Sequence, residues 1–196
     1  NEQRLEWWYH RNGGCGYFRL LSHEPLADYF RYAVQGNWEI HVRIKLAGQN
    51  DYTTWYRGIV RSVSTEEQGN EQYTEIRGYG YVELLNKIQV RKTYTAGQTV
   101  KQIVDDIVGT IVKPQSRILR PMDVNGGSDT GVDNSPYALA GELHFECSAL
   151  KAIKFLAELQ GSREFGVDAD RLFYFRATSN EVGKSFFLNK DLLSRA

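Results

Sequence analysis

Apolar residues recur along this chain with two different periods, and the change of period divides it. Between Asn37 and Leu46, Trp38, Ile40, Val42, Ile44 and Leu46 alternate with polar residues. Period two sustained over that length predicts a strand with one face on a core and the other in water. Thr54–Ser64 and Tyr73–Tyr81 read the same way, rich in the aromatic and β-branched residues that fit a half-buried pleated surface. Turns at 48–51 and 66–70 make these three strands antiparallel neighbours. Upstream, Gly13-Gly14-Cys15-Gly16 reads as a glycine-rich turn leading into a strand at Tyr17–Leu21. His23-Glu24-Pro25 ends that run, because proline removes a ladder donor. Tyr81–Asn86 reads as one helical turn closing a barrel of these strands, and Ile88–Tyr94 as a further strand.

The period then becomes helical. Val100, Ile103, Val104, Ile107, Val108 and Ile111 form one continuous stripe, predicting a helix over 99–112. Thr99 with Gln102 three residues later is a capping-box pattern. Residues 113–141 are polar, with Pro114, Pro121 and Pro136, and predict a long connection with a short strand hidden at 117–119. Leu143–Cys147 predicts a strand. Ser148 predicts the N-cap of a second helix carrying Leu150, Ile153, Leu156 and Leu159, with Gly161 ending it. Phe165–Val167, a turn at 168–170 and Leu172–Arg176 predict a hairpin. Residues 88–108 and 143–159 share a strand-then-helix plan without residue-level similarity that would make them a repeat.

Composition narrows the function classes. The chain has 196 residues, with 24 Lys plus Arg against 24 Asp plus Glu. A chain of this length buries roughly 70% of its unfolded surface and needs no disulfide or metal to fold. Zero net charge argues against a generic nucleic-acid or anionic-membrane binder and does little to keep copies apart. Cys15 and Cys147 are too few for a disulfide framework and read as reduced thiols. No apolar run is long enough to span a membrane, and no signal peptide is legible. The chain starts at Asn1 rather than Met, as expected of a processed chain or of a piece cut from a longer protein.

Candidate chemistry is sparse. His10, His23, His41 and His144 stand alone, without metal-ligand spacing. His41 alternates away from the apolar face and is expected in solvent. Cys147 with His144 could form a nucleophile pair only with a third, orienting group, so Cys147 reads as a small buried thiol. Asp105 and Asp106 are expected to make structural ion pairs. Asp168 and Asp170 bracket a turn, where Asp bonds locally. The loop from Asp123 to Asp133 concentrates oxygen ligands but lacks the spacing and closing Glu of a helix-loop-helix calcium site. It is expected to be an ordinary loop. No phosphate-cradling glycine loop precedes either helix. Trp7-Trp8-Tyr9-His10-Arg11 and Trp55-Tyr56-Arg57 place aromatics beside arginines, as for stacking bases or sugars, for filling a core or for anchoring a subunit contact. No residue is assigned a catalytic, cofactor-binding or metal-binding role.

The order of these features resembles the tail hub, or tail-tip adaptor, proteins of tailed bacteriophages and related injection machines. The resemblance rests on several segments: residues 12–21, the strand pair over 38–64 ending in Tyr56-Arg57-Gly58-Ile59-Val60, and residues 73–85 with their Leu84-Leu85 turn. Residues 94–108 and the helix-hairpin run over 148–175 complete it. It implies an α+β fold: an antiparallel, tail-tube-like β-barrel over 1–94, a smaller α+β insertion with two helices over 95–175, and a segment over 176–196 returning to the barrel. It implies a non-enzymatic structural protein without cofactors, an oligomeric hub ring, expected as a trimer, joining the tail tube to the tip or spike. Its partners would be the tube, the distal tail protein and a spike or fibre, with DNA only as transported cargo. Its place would be the virion tail, assembled in the bacterial host cytoplasm. The alternative from the residues themselves is a β-rich module binding carbohydrate or single-stranded nucleic acid.

Overall fold

A computed structural model describes residues 4–10, 13–22, 38–68, 71–120, 123, 131–133, 137–161 and 163–177. Its strands are β1 (Arg4–His10), β2 (Gly13–Ser22), β3 (Glu39–Ile44), β4 (Thr53–Gln68), β5 (Glu71–Gly80), β6 (Gln89–Tyr94), β7 (Leu143–Ser148), β8 (Arg163–Val167) and β9 (Phe173–Ala177). Its helices are α1 (Val82–Lys87), α2 (Val100–Asp106) and α3 (Ala149–Leu159). The fold is α+β, but among the described residues the strands do not close an antiparallel barrel. Seven of them form one curled, open and mixed sheet, and β6 and β7 pair separately.

The expected antiparallel run β3-β4-β5 is present, and β5 continues into β2. The correction concerns Gly13–Gly16, which is no turn but the start of β2. Phe18 pairs with Trp7 of β1 on one edge and Gly78 of β5 on the other. Gly14 pairs with His10 of β1 and, in parallel, with Val167 of β8. The second edge of β2 is therefore shared, with β5 along Tyr17–Ser22 and β8 along Gly13–Gly14. That fork mixes the sheet and bends it away from closure. Only glycine serves at the fork: Gly14 has φ +73°, and a Cβ there would sit 2.0 Å from the Val167 carbonyl oxygen.

Two irregularities in β4 add to the curl. From Val42↔Tyr56 to Arg43↔Thr54, β4 takes two steps against one on β3, leaving Trp55 as the extra residue. From Val60↔Gly78 to Ser62↔Arg77 it does so against β5, leaving Arg61 as the extra residue. Such bulges bend a strand and strengthen its twist. The strand also runs on through Gln68, where a turn was expected; residues 69 and 70 lie outside the described residues.

The helical layer follows the sequence closely at its caps. Thr99 Oγ1 accepts from the Gln102 backbone N–H at 3.2 Å while Gln102 Oε1 accepts from the Thr99 N–H at 2.8 Å. Ser148 accepts from the Lys151 N–H, and Gly161 takes φ +76° after α3. The stripe from Val100 departs from expectation at Ile107, where the α-helix widens into a π-helical turn over Ile107–Val112 before a 3₁₀ turn at Lys113–Gln115. The wider turn moves the buried position from Ile111 to Val112, which is fully buried while Ile111 is only partly so; α-helical spacing in sequence cannot register that change. β6, expected with the other strands, instead pairs antiparallel with β7. The two strand-then-helix units are thereby placed side by side.

The hairpin β8–β9 joins the large sheet, so that sheet takes strands from both ends of the chain. Asp168 holds its turn by accepting from the Asp170 and Leu172 N–H groups at 2.8 and 2.9 Å. The connection over 113–141 meets Leu172, just before β9, through the bridge Leu119↔Leu172, and β9 itself through Val132↔Phe175. The proline break at His23–Pro25 and residues 178–196 lie outside the described residues.

Two cores result. The main one lies between the large sheet and the helical layer. It buries Ile103, Val104, Ile107 and Val108 of the first stripe with Ile153 and Leu156 of α3, Phe165, Phe173 and Phe175 of the hairpin, and Ile59 of β4. A smaller core lies in the curl, with Cys15, Phe18, Val42, Tyr56, Val60 and Ile76 buried.

Candidate assembly surface

Strand alternation puts one set of side chains on the face of β1, β2 and β5 opposite the small core. Register aligns Glu6 with Arg19, Arg19 with Arg77, Leu21 with Glu75 and Tyr17 with Tyr79. Two features follow, an ion-paired ladder and an aromatic stripe.

The ladder centres on Glu75. One carboxylate oxygen accepts from Arg77 Nε at 2.6 Å and the other bonds to Arg19 Nε. The Glu75 side chain is only 1% exposed. It is shut off from water by the two guanidinium groups that grip it on this face of the sheet. Its covered position pushes the carboxyl pKa up, but hydrogen bonds from Arg77 and Arg19 outweigh that and hold it below the usual carboxylate range. On β1, Arg4 pairs with Glu6.

The aromatic stripe runs beside it. Trp8 and Tyr17 have ring centroids 5.1 Å apart, and Tyr17 and Tyr79 5.9 Å, both tilted. Trp8 is 43% and Tyr79 42% exposed. These separations lie in the range where tilted aromatic pairs attract. Tyr9, on the opposite side of β1, meets Tyr174, over whose ring Arg176 stacks at 4.8 Å. Burial raises the pKa of both hydroxyls. The other aromatic cluster splits: Tyr56 is fully buried, edge-on to Phe18, and donates to the Gly16 carbonyl at 2.7 Å.

His41 is exposed beside Glu39 at 2.9 Å, and His144 meets Thr93 Oγ1 at 2.8 Å. His10 is exposed at the end of β1, and His23 lies outside the described residues. No group of three or more His, Cys, Asp or Glu among the described residues could hold a metal ion. Cys147 stands three residues from His144 on β7, so alternation turns the two side chains to opposite faces. Both cysteines are free, and burial raises the Cys15 thiol to about 11. Asp105 pairs with Lys101 at 3.1 Å.

Asp106 does more than the sequence suggested. It receives Lys92 at 2.8 Å, the Tyr94 hydroxyl at 2.7 Å and Thr110 Oγ1 at 3.0 Å, tying α2 to β6. Burial opposes its charge, but these bonds keep its pKa depressed. At the two ends of the Asp123–Asp133 loop, Asp123 is held by Arg120 and Lys113, and Asp133 by Arg163 at 2.9 Å. Both end carboxylates are thus engaged by cations. Residues 124–130, at the centre of the loop, lie outside the described residues.

This architecture has counterparts among solved structures. The chain is similar to the 43 kDa tail protein of prophage MuSo2 from Shewanella oneidensis, with a TM-score of 0.52 at 12% identity over 84% of this chain and 47% of that one. A tail protein from Neisseria meningitidis MC58 matches with a TM-score of 0.49 at 11% identity, over 81% of this chain and 41% of that one. Prophage tail protein gp18 from Listeria monocytogenes EGD-e matches with a TM-score of 0.47 at 11% identity, over 87% of this chain and 43% of that one. No protein-family model and no curated protein sequence matches. The fold is therefore of the kind found in a prophage tail protein, and the chain spans less than half the length of the tail proteins it resembles. No helix among the described residues is long and apolar enough to cross a membrane.

Proposed function

We propose that the chain is a structural component of a phage tail or phage-like injection machine, an oligomeric hub ring joining the tail tube to the tip or spike. The observation that carries this reading is the fold match to a prophage tail protein over most of the chain. The sheet supports it. β1 and β3 each pair with one strand among the described residues, leaving an edge that a neighbouring copy can extend. The stripe Trp8–Tyr17–Tyr79 offers aromatic anchors beside the β1 edge. In a ring such a contact is heterologous and closes on itself. The protein acts without catalysis or a cofactor, and its partners are further copies and other tail proteins, with DNA only as cargo. Light scattering on the chain at high concentration, with electron microscopy of the eluted species, should give closed rings, trimeric if the expected stoichiometry holds. A strict monomer throughout would count against ring formation by this chain.

The same stripe favours one other reading, a carbohydrate- or single-strand-binding face. Glycan and oligonucleotide arrays separate the two. Tight binding that is lost in Trp8→Ala and Tyr79→Ala would favour the binding module, whereas a hub should bind neither ligand tightly.

A further inference from the structure

Many cations of this chain sit against a carboxylate; three others share one cleft. Arg19, Lys92, Lys101, Lys113, Arg120 and Arg163 each have a carboxylate oxygen at 3.1 Å or closer. Arg61, Lys87 and Arg117 do not. They come from β4, the end of α1 and the segment after the 3₁₀ turn, and line one cleft of about 360 Å³ with Ile59, Tyr81, Leu84, Gln115 and Ser116. None of the three forms an ion pair with a carboxylate among the described residues. Lys87 alone would be ordinary, since a cation suits the C-terminal end of a helix. Three cations from three elements around one cleft repel one another unless an anion joins them.

Two independent features point the same way. Arg61 is the extra residue of a β-bulge, a device that re-aims a side chain and is common beside functional sites. Tyr81 is fully buried, yet its hydroxyl has no hydrogen-bond partner among the described residues. Buried polar groups without a partner are rare and call for an explanation such as an absent ligand. Two guanidinium groups, an ammonium and a hydroxyl form a donor set matched to an oxyanion.

We propose that this cleft is an anion subsite that receives a carboxylate side chain from an acidic segment of a protein partner. Its shape favours a protein over a nucleic acid. A phosphodiester strand needs a row of cations spaced along its repeating charges. Here three cations meet at one open cleft rather than along a row, on a chain of zero net charge. The inference rests on the cleft alone and stands whether or not the chain forms rings.

Titration of the ¹⁵N-labelled full chain with hexaglutamate, inorganic phosphate and a six-nucleotide oligothymidylate tests it. Hexaglutamate should shift the amides of Arg61, Lys87 and Arg117 saturably, more weakly as salt rises. The double substitution R61Q/R117Q should weaken that binding by about tenfold or more. R43Q should leave it unchanged, since Arg43, on β3, lies over the Tyr52 ring and outside the cleft. Y81F keeps all three charges and the ring, and should weaken binding by about threefold without lowering the melting temperature. Should R61Q/R117Q fail to fold, K87Q alone carries the same test. An absence of saturable shifts, or equal binding by the charge-depleted variants, overturns the site. Tighter binding of the oligonucleotide or of phosphate than of hexaglutamate overturns the protein partner.

Discussion

The main core and the small core under the curl of the sheet differ in what fills them. The main core is built from side chains on helical stripes and hairpin strands: isoleucine, valine, leucine and phenylalanine meeting across a gap. In the small core only a few side chains are buried, and backbone crosses backbone nearby. At Gly80 a Cβ would lie 1.6 Å from the Cys15 carbonyl oxygen, and at Gly14 2.0 Å from that of Val167. One core is limited by volume, the other by approach. A volume-limited core responds to losing atoms in proportion to the cavity left. An approach-limited core responds to gaining a single atom, because rotation of a side chain cannot relieve a clash between main chains.

Gly80→Ala should therefore be the most damaging small change, costing about 4 kcal/mol or preventing folding altogether. Gly141→Ala is its control: nothing lies within 4 Å of a Cβ there and φ is unstrained. It should be neutral or gain about 0.5 kcal/mol through the unfolded chain. Urea unfolding of the two variants measures the contrast. Equal stabilities would show that the backbones near the fork can separate at little cost, and the distinction between the cores would fail.

Ile153→Ala comes next. Ile153 is fully buried in α3 against the first helical stripe, and truncation should cost about 3 kcal/mol in the same assay. A loss smaller than that of Ile40→Ala, on the partly buried edge of the small core, would reverse the order of the two regions.

This contrast also explains what the sequence disclosed. The stripe Val100–Ile111, the Thr99–Gln102 box, the Ser148 cap and the Asp168 turn are local, each written within a few residues. The run Trp38–Leu46 likewise announced its face through Ile40, Val42 and Ile44. The fork at Gly14 joins residues far apart in the chain, with no periodic pattern on either side. Glycines there read as a turn because turns are where glycine is commonest. The open, mixed sheet follows from that fork, so the expectation of a closed barrel failed where the sequence was silent. The candidate surface was half legible. Trp7-Trp8-Tyr9 stood out as aromatic, but Tyr17 and Tyr79 became its partners only through register, and Glu75 met its two arginines by the same route.

Carboxylates compare the regions at smaller scale. Glu75 belongs to the curled sheet and Asp106 to the helical layer, and both have depressed pKa values. A carboxyl depressed in the fold adds stability in full above its unfolded pKa, near 4, and loses it as pH falls through the folded value. Stability should thus decline as pH drops below about 4, and less steeply in Glu75→Gln and Asp106→Asn. At neutral pH Glu75→Gln should cost about 2 kcal/mol, because it leaves Arg19 and Arg77 side by side without their shared anion. Asp106→Asn should cost less, its side chain being 25% exposed and Lys92 reaching water. Unfolding midpoints between pH 2 and 7 test both, and an unchanged pH slope in Glu75→Gln would remove the ion-paired ladder from the stability of the sheet.

The smallest expected effect has the opposite sign. Tyr81 packs into the main core but carries a hydroxyl without a partner among the described residues, at a cost of about 1 kcal/mol. Tyr81→Phe removes that oxygen and keeps the ring, so the isolated chain should gain about that much. Tyr56→Phe removes a hydroxyl of equal size that donates to Gly16, and should lose a similar amount. The same chemical deletion then moves the two cores in opposite directions. A loss in both would mean that Tyr81 has a partner in the free chain, and the cleft would lose the hydroxyl reserved for an incoming anion.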